Sequence, residues 1–572
     1  MKIRLILSSL IIAFLISSCA TVPARRDYAA PVVNPYQQAV SYLYFSIGYL
    51  AQMSGEYGSA EEYMRISAKY SYEPGPVFRE LAYLSTLRGN AQQAAAYIEE
   101  GLDRDPFNED ILMMAGRLMI ERDRYVEAKE IYERLIKIDP LLSEPYFYLG
   151  VIAHKNGKNE EARGWFEKNT ALSPDSAAAY YNIGLIFASE EQYDESLVYF
   201  EKALETDPDY TKAYNSIAGV HEIKGEDDKA VSAYRALLKR TPLDTSALKS
   251  VADIYYRQQN LSKSAAVYEE ILKIEPHNAE IEHSLGLILF KMKDYEGALL
   301  RFESVGQRMN DFIVNTYYAA LCLEELKRYD KALEKFFEVA RRAENPINAY
   351  YHIGYIYGEQ GRIEEAVKLF LEKLEENSGI EEYHLLTAAS LSDAGRYEEA
   401  RAIYLKALEK FPDSVRALVN LGYIYDRLKD TDNALSVFEK VITKDPKNAE
   451  AYNYVGYTYA EQNRKLDEAQ KLIEKALEFD AENGYYIDSL GWVFYMKGMY
   501  PEALEKLLIA DKYVEKKTGR GDPVIYEHIA DAYAKLGDRG KALSYLEKAL
   551  NHEKAERKQE LKEKINGLKG AE

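Results

Sequence analysis

Residues 179 to 208 read AYYNIGLIFASEEQYDESLVYFEKALETDP. Apolar residues recur at helical spacing from Tyr180 to Phe187 and again from Leu197 to Leu204, which predicts two amphipathic helices. A polar turn from Glu190 to Asp194 separates them. Asp207-Pro208 ends the stretch, because proline cannot continue a helix and disfavours the helical conformation at the residue before it. The stretch is therefore one helix-turn-helix unit.

The same unit recurs with a period of 34 residues along most of the chain. One slot of the first helix holds Gly or Ala in thirteen units of identical spacing, and two further units around Gly491 and Ala530 make 15. Small residues let paired helices approach closely, since a bulky side chain would overpack the contact by about 1–3 kcal/mol. Large residues of the second helix, such as Phe336 and Phe438, are predicted to fill the gap between successive units. The thirteen small residues are Gly48, Ala82, Gly116, Gly150, Gly184, Ala218, Ala252, Gly286, Ala320, Gly354, Ala388, Gly422 and Gly456.

At these positions the chain resembles the tetratricopeptide-repeat family over residues 41 to 556. The resemblance implies an all-α solenoid, a right-handed superhelix of about 15 helix-turn-helix units that each contact mainly their neighbours. The missing unit-ending proline predicts a bend near residues 307–312, although the 34-residue spacing holds there. Tyr513 to Pro523 is an insertion and predicts a mobile loop. Residues 557–572 are predicted to form a capping helix; a helix that docks onto a partner is the alternative.

The amino terminus has the pattern of an export signal. A short basic segment, an apolar run and Ile16-Ser17-Ser18 precede Cys19, and the run is too short to span a bilayer. This pattern resembles a bacterial lipoprotein signal, which implies removal of residues 1–18 and lipidation of Cys19; an ordinary signal peptide is the alternative. Residues 19–40 then form a flexible tether. Because Ala20 is not aspartate, the resemblance favours the periplasmic face of the outer membrane, with the inner membrane as the alternative.

Composition and motifs argue against several kinds of function. The chain has 73 basic and 93 acidic residues, a net charge of −20, and shows no basic stripe for binding nucleic acid. The histidines lack metal-ligand spacing, and no phosphate-binding loop or G-x-S-x-G elbow is present. Cys322 is predicted to be a core residue. The sequence therefore predicts no enzyme, cofactor, metal or small-molecule substrate.

The family resemblance places the binding surface on the first helices, which line a concave face. Tyrosines in two slots of these helices would supply rigid contact area with a polar group at the end, which favours protein or peptide partners. The alternative is that tyrosine, with 50 copies, is only a packing residue of this chain. The predicted groove residues are Tyr181, Tyr317, Tyr351, Tyr355, Tyr423 and Tyr457.

The carboxyl-terminal units carry a narrower resemblance. Three segments are similar to segments of bacterial repeat lipoproteins: Gly456 to Ala460, Tyr486 to Trp492 and Asp522 to His528. One type of these lipoproteins is the outer-membrane partner of a carboxyl-terminal processing protease. The resemblance implies a membrane-anchored periplasmic scaffold that recruits an envelope protease and its substrates. A structural component of an envelope polysaccharide, pilus or secretion machine is the alternative.

Overall fold

The structure, a computed structural model, describes residues 34–308, 313–553 and 557–570. Within these ranges it contains 31 helices and no strand, and consecutive helices form 15 pairs followed by one single helix. The predicted all-α repeat array is confirmed. The described residues fall into two compact units, one ending at Pro276 and one beginning at His277.

The first unit holds seven helix pairs. These are α1 Pro35–Met53, α2 Tyr57–Tyr70, α3 Gly75–Leu87, α4 Ala91–Arg104, α5 Glu109–Glu121, α6 Tyr125–Ile138, α7 Ser143–Lys155, α8 Asn159–Leu172, α9 Ala177–Ser189, α10 Tyr193–Thr206, α11 Thr211–Ile223, α12 Asp227–Leu238, α13 Thr245–Arg257 and α14 Leu261–Ile274.

The second unit holds eight pairs and the single helix. These are α15 Ala279–Lys291, α16 Tyr295–Arg308, α17 Ile313–Glu325, α18 Tyr329–Arg342, α19 Ile347–Glu359, α20 Ile363–Glu376, α21 Glu381–Asp393, α22 Tyr397–Lys410, α23 Val415–Arg427, α24 Thr431–Lys444, α25 Ala449–Glu461, α26 Leu466–Phe479, α27 Gly484–Met496, α28 Tyr500–Thr518, α29 Pro523–Lys535, α30 Arg539–His552 and α31 Lys558–Gly570.

The small slot is the place where the two helices of a pair come closest. A Cβ atom added to Gly184 would lie 2.6 Å from Cδ1 of Phe200, which is closer than carbon atoms can approach. The large residue of the second helix is fully buried and also contacts the next pair. The Phe336 ring stacks on His352 at a centroid distance of 4.9 Å, and Phe438 stacks on Tyr454 at 4.1 Å. The predicted filling of the gap between successive units is therefore confirmed.

A residue with a left-handed backbone ends the first helix of most pairs. At this slot Gly157 has φ of +73°, and the non-glycine residues Gln259 and Lys293 have φ of +59° and +64°. The left-handed conformation costs a non-glycine residue about 1–2 kcal/mol. This left-handed turn position recurs in both units, but the sequence does not reveal it where a charged or amide residue replaces glycine.

Two boundaries differ from the sequence prediction. Helix α1 begins at Pro35, so residues 35–40 are helical rather than tether, because the Asn34 side chain caps the helix and proline suits its first position. The predicted loop at Tyr513 to Pro523 is wrong over its first half. Helix α28 runs to Thr518, since Val514 is buried against Gly484, and it ends at Gly519 with a left-handed backbone. The insertion thus lengthens a helix.

Several predictions lie outside the described residues. These are the signal peptide at residues 1–18, the lipidation site Cys19, the tether up to residue 33, and most of the bend predicted at residues 307–312.

Candidate protein-binding groove

The second unit contains a groove of about 830 Å³ along its first helices. Helices α19, α21 and α23 supply most of the lining, and the start of α25 closes one end. Tyr351 and Tyr355, two of the predicted tyrosines, lie in this groove with 40% and 54% of their surface exposed. The floor is apolar, with Phe370, Leu385 and Leu386 all buried. The groove therefore combines an apolar floor with exposed aromatic rings.

Polar side chains enter the groove from each of its helices. Glu359 lies at the end of α19, Asp393 at the end of α21, and Arg416 and Asn420 on α23. Burial raises the pKa of the Asp393 carboxyl, although that residue is still exposed to solvent. The groove can therefore offer hydrogen bonds and negative charge to an occupant.

Three glutamates affect the charge state of the Tyr355 hydroxyl. Its pKa is raised, first by the negative charge of Glu359 and then by burial and the charges of Glu324 and Glu325. A raised phenol pKa means that negative charge nearby disfavours the phenolate. The electrostatic potential at this end of the groove is accordingly negative.

Tyr423 and Tyr457 are less accessible to a binding partner than the sequence predicts. The Tyr423 hydroxyl donates a hydrogen bond to Glu450, and its ring packs against Phe438 at 5.3 Å and against Tyr454 at 6.1 Å. Tyr457 is half-buried, its ring lies 6.5 Å from His528, and burial raises its pKa. Tyr423 keeps 38% of its surface exposed beside the groove, whereas Tyr457 belongs to a different cluster.

Tyr181 and Tyr317 are half-buried and do not line the groove. Tyr181 belongs to the first unit, where its ring packs against Phe200 at 5.5 Å and Tyr210 at 5.3 Å. The Tyr317 hydroxyl lies 3.1 Å from Nε2 of His352. Both pack against neighbouring rings, so the groove brings together only Tyr351 and Tyr355 of the six.

Sequence reasoning missed the polar residues of the groove. Arg416 forms ion pairs with Glu381 at 3.7 Å and with Glu382 at 3.0 Å, on the neighbouring first helix α21. Nothing in a 34-residue period distinguishes these charges from those of a solvated surface. The signal in the sequence is the residue at one slot across all repeats: the last residue of the first helix is Glu359 in one repeat and Asp393 in the next.

A second cluster joins the carboxyl-terminal segments that carry the narrower resemblance. Nδ1 of His528 lies 3.0 Å from Oδ1 of Asp488, and both side chains are buried. The His528 ring stacks on Trp492 at 4.1 Å. Burial by itself lowers the pKa of His528, but the charge and hydrogen bond of Asp488 outweigh this effect and raise it above 6.5. The contact ties α27 to α29, so these motif residues are structural.

The described residues contain no group of three or more His, Cys, Asp or Glu side chains placed to hold a metal ion. Cys322 is fully buried, and burial raises the pKa of its thiol to about 12, so it is protonated at neutral pH. The prediction that Cys322 is a core residue is confirmed. No helix in the ranges that the structure describes is long and apolar enough to cross a membrane.

Family profiles described as "Tetratricopeptide repeat" match six segments that together cover just over half of the chain. The segments are residues 86–149, 177–210, 225–279, 347–377, 385–471 and 524–552. A profile described as "Anaphase-promoting complex, cyclosome, subunit 3" matches residues 257–339. The curated "TPR repeat-containing protein PA4667" of Pseudomonas aeruginosa is 34% identical over 106 residues, 18% of this chain and 17% of its own length. The match thus spans about a sixth of that relative.

Three solved structures align with parts of this chain. Naa15/Naa10 bound to HypK-THB has a TM-score of 0.41 at 18% identity and covers 78% of this chain and 69% of its own. Yeast Tom70 has a TM-score of 0.37 at 17% identity, over 75% of this chain and 95% of its own. PilW, titled a widely conserved type IV pilus biogenesis factor, has a TM-score of 0.34 at 20% identity, over 38% of this chain and all of its own.

Proposed function

This chain belongs to the tetratricopeptide-repeat family, and from that premise we propose that it is a periplasmic adaptor, anchored to the membrane by lipid, that holds a protein partner in the groove of its second unit. Members of this family bind proteins or peptides through their repeats. The adaptor is not an enzyme in this proposal, because the groove presents no paired nucleophile and base among its described lining residues.

The observation that carries the proposal is the exposure of Tyr351 and Tyr355. A tyrosine that serves only to pack helices is covered, as Tyr132 and Tyr404 are in this chain. The two groove tyrosines leave large parts of their rings open above an apolar floor. Aromatic residues in this setting are typical centres of binding energy in protein interfaces.

The membrane anchor is the part of the proposal that rests on the sequence alone. Cys19 follows an apolar run and small residues, and its lipidation would hold the array at the envelope. Two or more acyl chains give a stable anchor, whereas one chain binds a membrane only marginally. A Cys19→Ala chain is expected to leave the membrane fraction, and a Cys19→Ala chain that stays membrane-bound would contradict the anchor.

The partner class that we propose is an envelope protease together with its substrates. The support is the resemblance of the segments around Gly456, Asp488 and His528 to lipoproteins that partner a carboxyl-terminal processing protease. The adaptor would raise the local concentration of substrate near the protease by binding both at one membrane.

The test places a photoreactive phenylalanine analogue at position 355 in cells. Illumination should covalently capture a partner, and mass spectrometry of the adduct identifies it. The matched control carries the analogue at Leu405, which is 41% exposed on the second helix α22 and outside the groove. Capture at 355 should be lost in a Tyr351→Ala chain.

The identity of the adduct decides between partner classes. A processing protease or its substrate supports the adaptor. A polysaccharide, pilus or secretion component would replace it with a structural role in that machine. Equal capture at positions 355 and 405, or none at either, would refute the groove as the binding surface.

A further inference from the structure

The charged residues of the groove are unbalanced. Glu359, Asp393 and Glu450 are acidic, and Arg416 is the only cationic side chain among the lining residues that the structure describes. The charge of Arg416 is already compensated by its two ion pairs to Glu381 and Glu382. An occupant of the groove therefore meets net negative charge.

The acids belong to a row that follows the repeat. Glu325, Glu359, Asp393 and Glu461 occupy the last residue of α17, α19, α21 and α25, at multiples of 34 residues, whereas the other four first helices of this unit end at Lys291, Arg427, Met496 and Lys535. All four acids are exposed, and none forms an ion pair within the described parts of the chain. The same slot thus presents uncompensated carboxylates on one edge of the second unit.

The first unit lacks this row. Its seven first helices carry a single acid, Glu121, at the same slot. The other six residues there are Met53, Leu87, Lys155, Ser189, Ile223 and Arg257. Since repeat packing is the same in both units, packing does not require an acid at this position. The acids are therefore concentrated in the unit that contains the groove, where four of eight first helices carry one, against one of seven in the first unit.

The exposed tyrosine rings lie beside these acids. A tyrosine ring attracts a cation held over its face, by about 0.5–1 kcal/mol at an exposed site. Tyr355 lies one helical turn before Glu359 on α19, so its ring and the Glu359 carboxylate share one surface of the helix. A lysine or arginine side chain placed there would contact a ring and a carboxylate together.

We propose that the groove takes an extended, cationic segment of a protein partner, whose Lys or Arg side chains pair with Glu359 and Asp393 and lie over Tyr351 and Tyr355. This inference rests on the proposed function and adds the chemistry of the bound segment. Packed helices lie about 8–10 Å apart, and three residues of an extended polyproline II segment, which rises about 3.1 Å per residue and returns to the same face at every third residue, span that distance. The best-fitting segment therefore carries a cation at every third residue.

The test measures binding of labelled synthetic peptides to the full lipidated chain in detergent by fluorescence anisotropy. The first peptide has twelve residues, with lysine at every third position and serine and glycine between. A second has glutamate in place of lysine, and a third has the same lysines placed consecutively. The lysine-spaced peptide should bind best, the glutamate peptide should not bind, and binding should weaken as salt rises.

Variants then locate the site. Glu359→Gln combined with Asp393→Asn should weaken binding of the lysine-spaced peptide by about tenfold, the effect of losing two partly exposed charge pairs. The matched control combines Glu409→Gln on α22 with Asp432→Asn on α24, two exposed acids outside the groove, and should bind as the parent does. Tyr355→Phe should keep the affinity, whereas Tyr355→Leu should reduce it.

Two outcomes would overturn the inference. One is a glutamate peptide that binds as well as the lysine peptide; the other is an acid-neutralised chain that binds unchanged while circular dichroism shows it folded. Crosslinking at position 355 separates this failure from failure of the proposed function. A captured partner segment without cations refutes the charge complementarity alone, whereas absence of capture refutes the groove itself.

Discussion

At the scale of single residues, the chain depends on glycines that face an aromatic ring. Gly184 lies so close to Phe200 that no other residue fits without displacing the ring. Glycine weakens a helix by about 1 kcal/mol relative to alanine. The helix tolerates this cost because close approach lets the phenylalanine bury its whole surface, which is worth about 1.5–3 kcal/mol.

We therefore expect two Gly→Ala changes in neighbouring helix pairs to have opposite effects on stability. Gly184→Ala should lower the free energy of unfolding by about 1–3 kcal/mol through overpacking. Gly164→Ala, on α8, has no atom within 4 Å of the new Cβ and should raise it by up to about 1 kcal/mol. Urea unfolding of the two chains measures both. Equal effects of the two changes would contradict close packing at Gly184.

His528 gives a pH dependence. Its pKa in the folded chain is raised above 6.5, because Asp488 outweighs the effect of burial, with Asp531 and Glu527 adding to it. A raised histidine pKa stabilises the fold below the unfolded pKa, and this contribution is lost as pH rises through the folded pKa. We expect the stability of the carboxyl-terminal helices to fall over that interval, on the alkaline side of pH 6.5.

Trp492 reports this titration, since its ring stacks on His528 and a protonated imidazole quenches indole fluorescence. In a Trp165→Phe chain, Trp492 is the only tryptophan, and its fluorescence should rise as His528 loses its proton. Asp488→Asn should move the midpoint to lower pH. A titration midpoint at or below pH 6.5 that is the same with and without Asp488→Asn would contradict the His528–Asp488 ion pair.

At the scale of elements, helix α31 closes the array by an apolar face and by charge. Leu561 and Ile565 are buried against Tyr526 and Leu546. On the same helix, Nζ of Lys564 lies 2.6 Å from Asp531 and 3.0 Å from Glu527 on α29. The side chains of these carboxylates are 18% and 12% exposed, so Lys564 supplies a counter-charge to Asp531 and a second one to Glu527, which also pairs with Arg557 at 2.5 Å.

Lys564→Met should therefore destabilise the end of the array. We expect a loss of about 1.5–3 kcal/mol, the usual contribution of hydrogen bonds to charged groups. The loss should shrink at acidic pH, where Asp531, whose pKa burial raises, takes up a proton. Lys569→Met is the control, because its 3.5 Å pair with Glu547 is exposed and worth about 0–1 kcal/mol. Thermal unfolding at two pH values measures both variants.

At the scale of the whole molecule, stability is local. Repeat units contact mainly their neighbours, so the free energy of unfolding is approximately a sum of unit and interface contributions. The described residues also fall into two compact units, divided between Pro276 and His277. Opening of one segment need not require opening of the others.

Hydrogen exchange can test this property. Phe200→Ala removes a fully buried ring from α10 and should cost about 3–5 kcal/mol. Protection should fall in α9 to α12 and stay unchanged in the distant helices α25 to α30. Phe370→Ala, on α20, serves as the reciprocal control, with the loss around α19 to α22. A uniform loss of protection in either variant would show that the chain unfolds as one cooperative body.

The groove shows how far sequence reasoning reached. The tyrosine slots named Tyr351 and Tyr355, which line the groove, but the same slots also named Tyr181, Tyr317 and Tyr457, which pack against other rings. Residues at one slot share a helix face, yet neighbouring side chains decide which of them stay exposed. The recurring acids can be found in the sequence from the 34-residue period. Their position beside the exposed rings of Tyr351 and Tyr355, which suggests a cationic partner, is visible only in the structure.

The sequence by itself determined the repeat, its 34-residue period, the small and large slots and the number of units, because close helix packing requires those residue sizes at those positions. Only the tertiary structure decided that the 513–523 insertion extends a helix, that Asp488 meets His528, and that Tyr351, Tyr355, Glu359 and Asp393 share one groove. These contacts join residues of different units, and their exposure depends on what surrounds each side chain, which a repeating pattern does not encode.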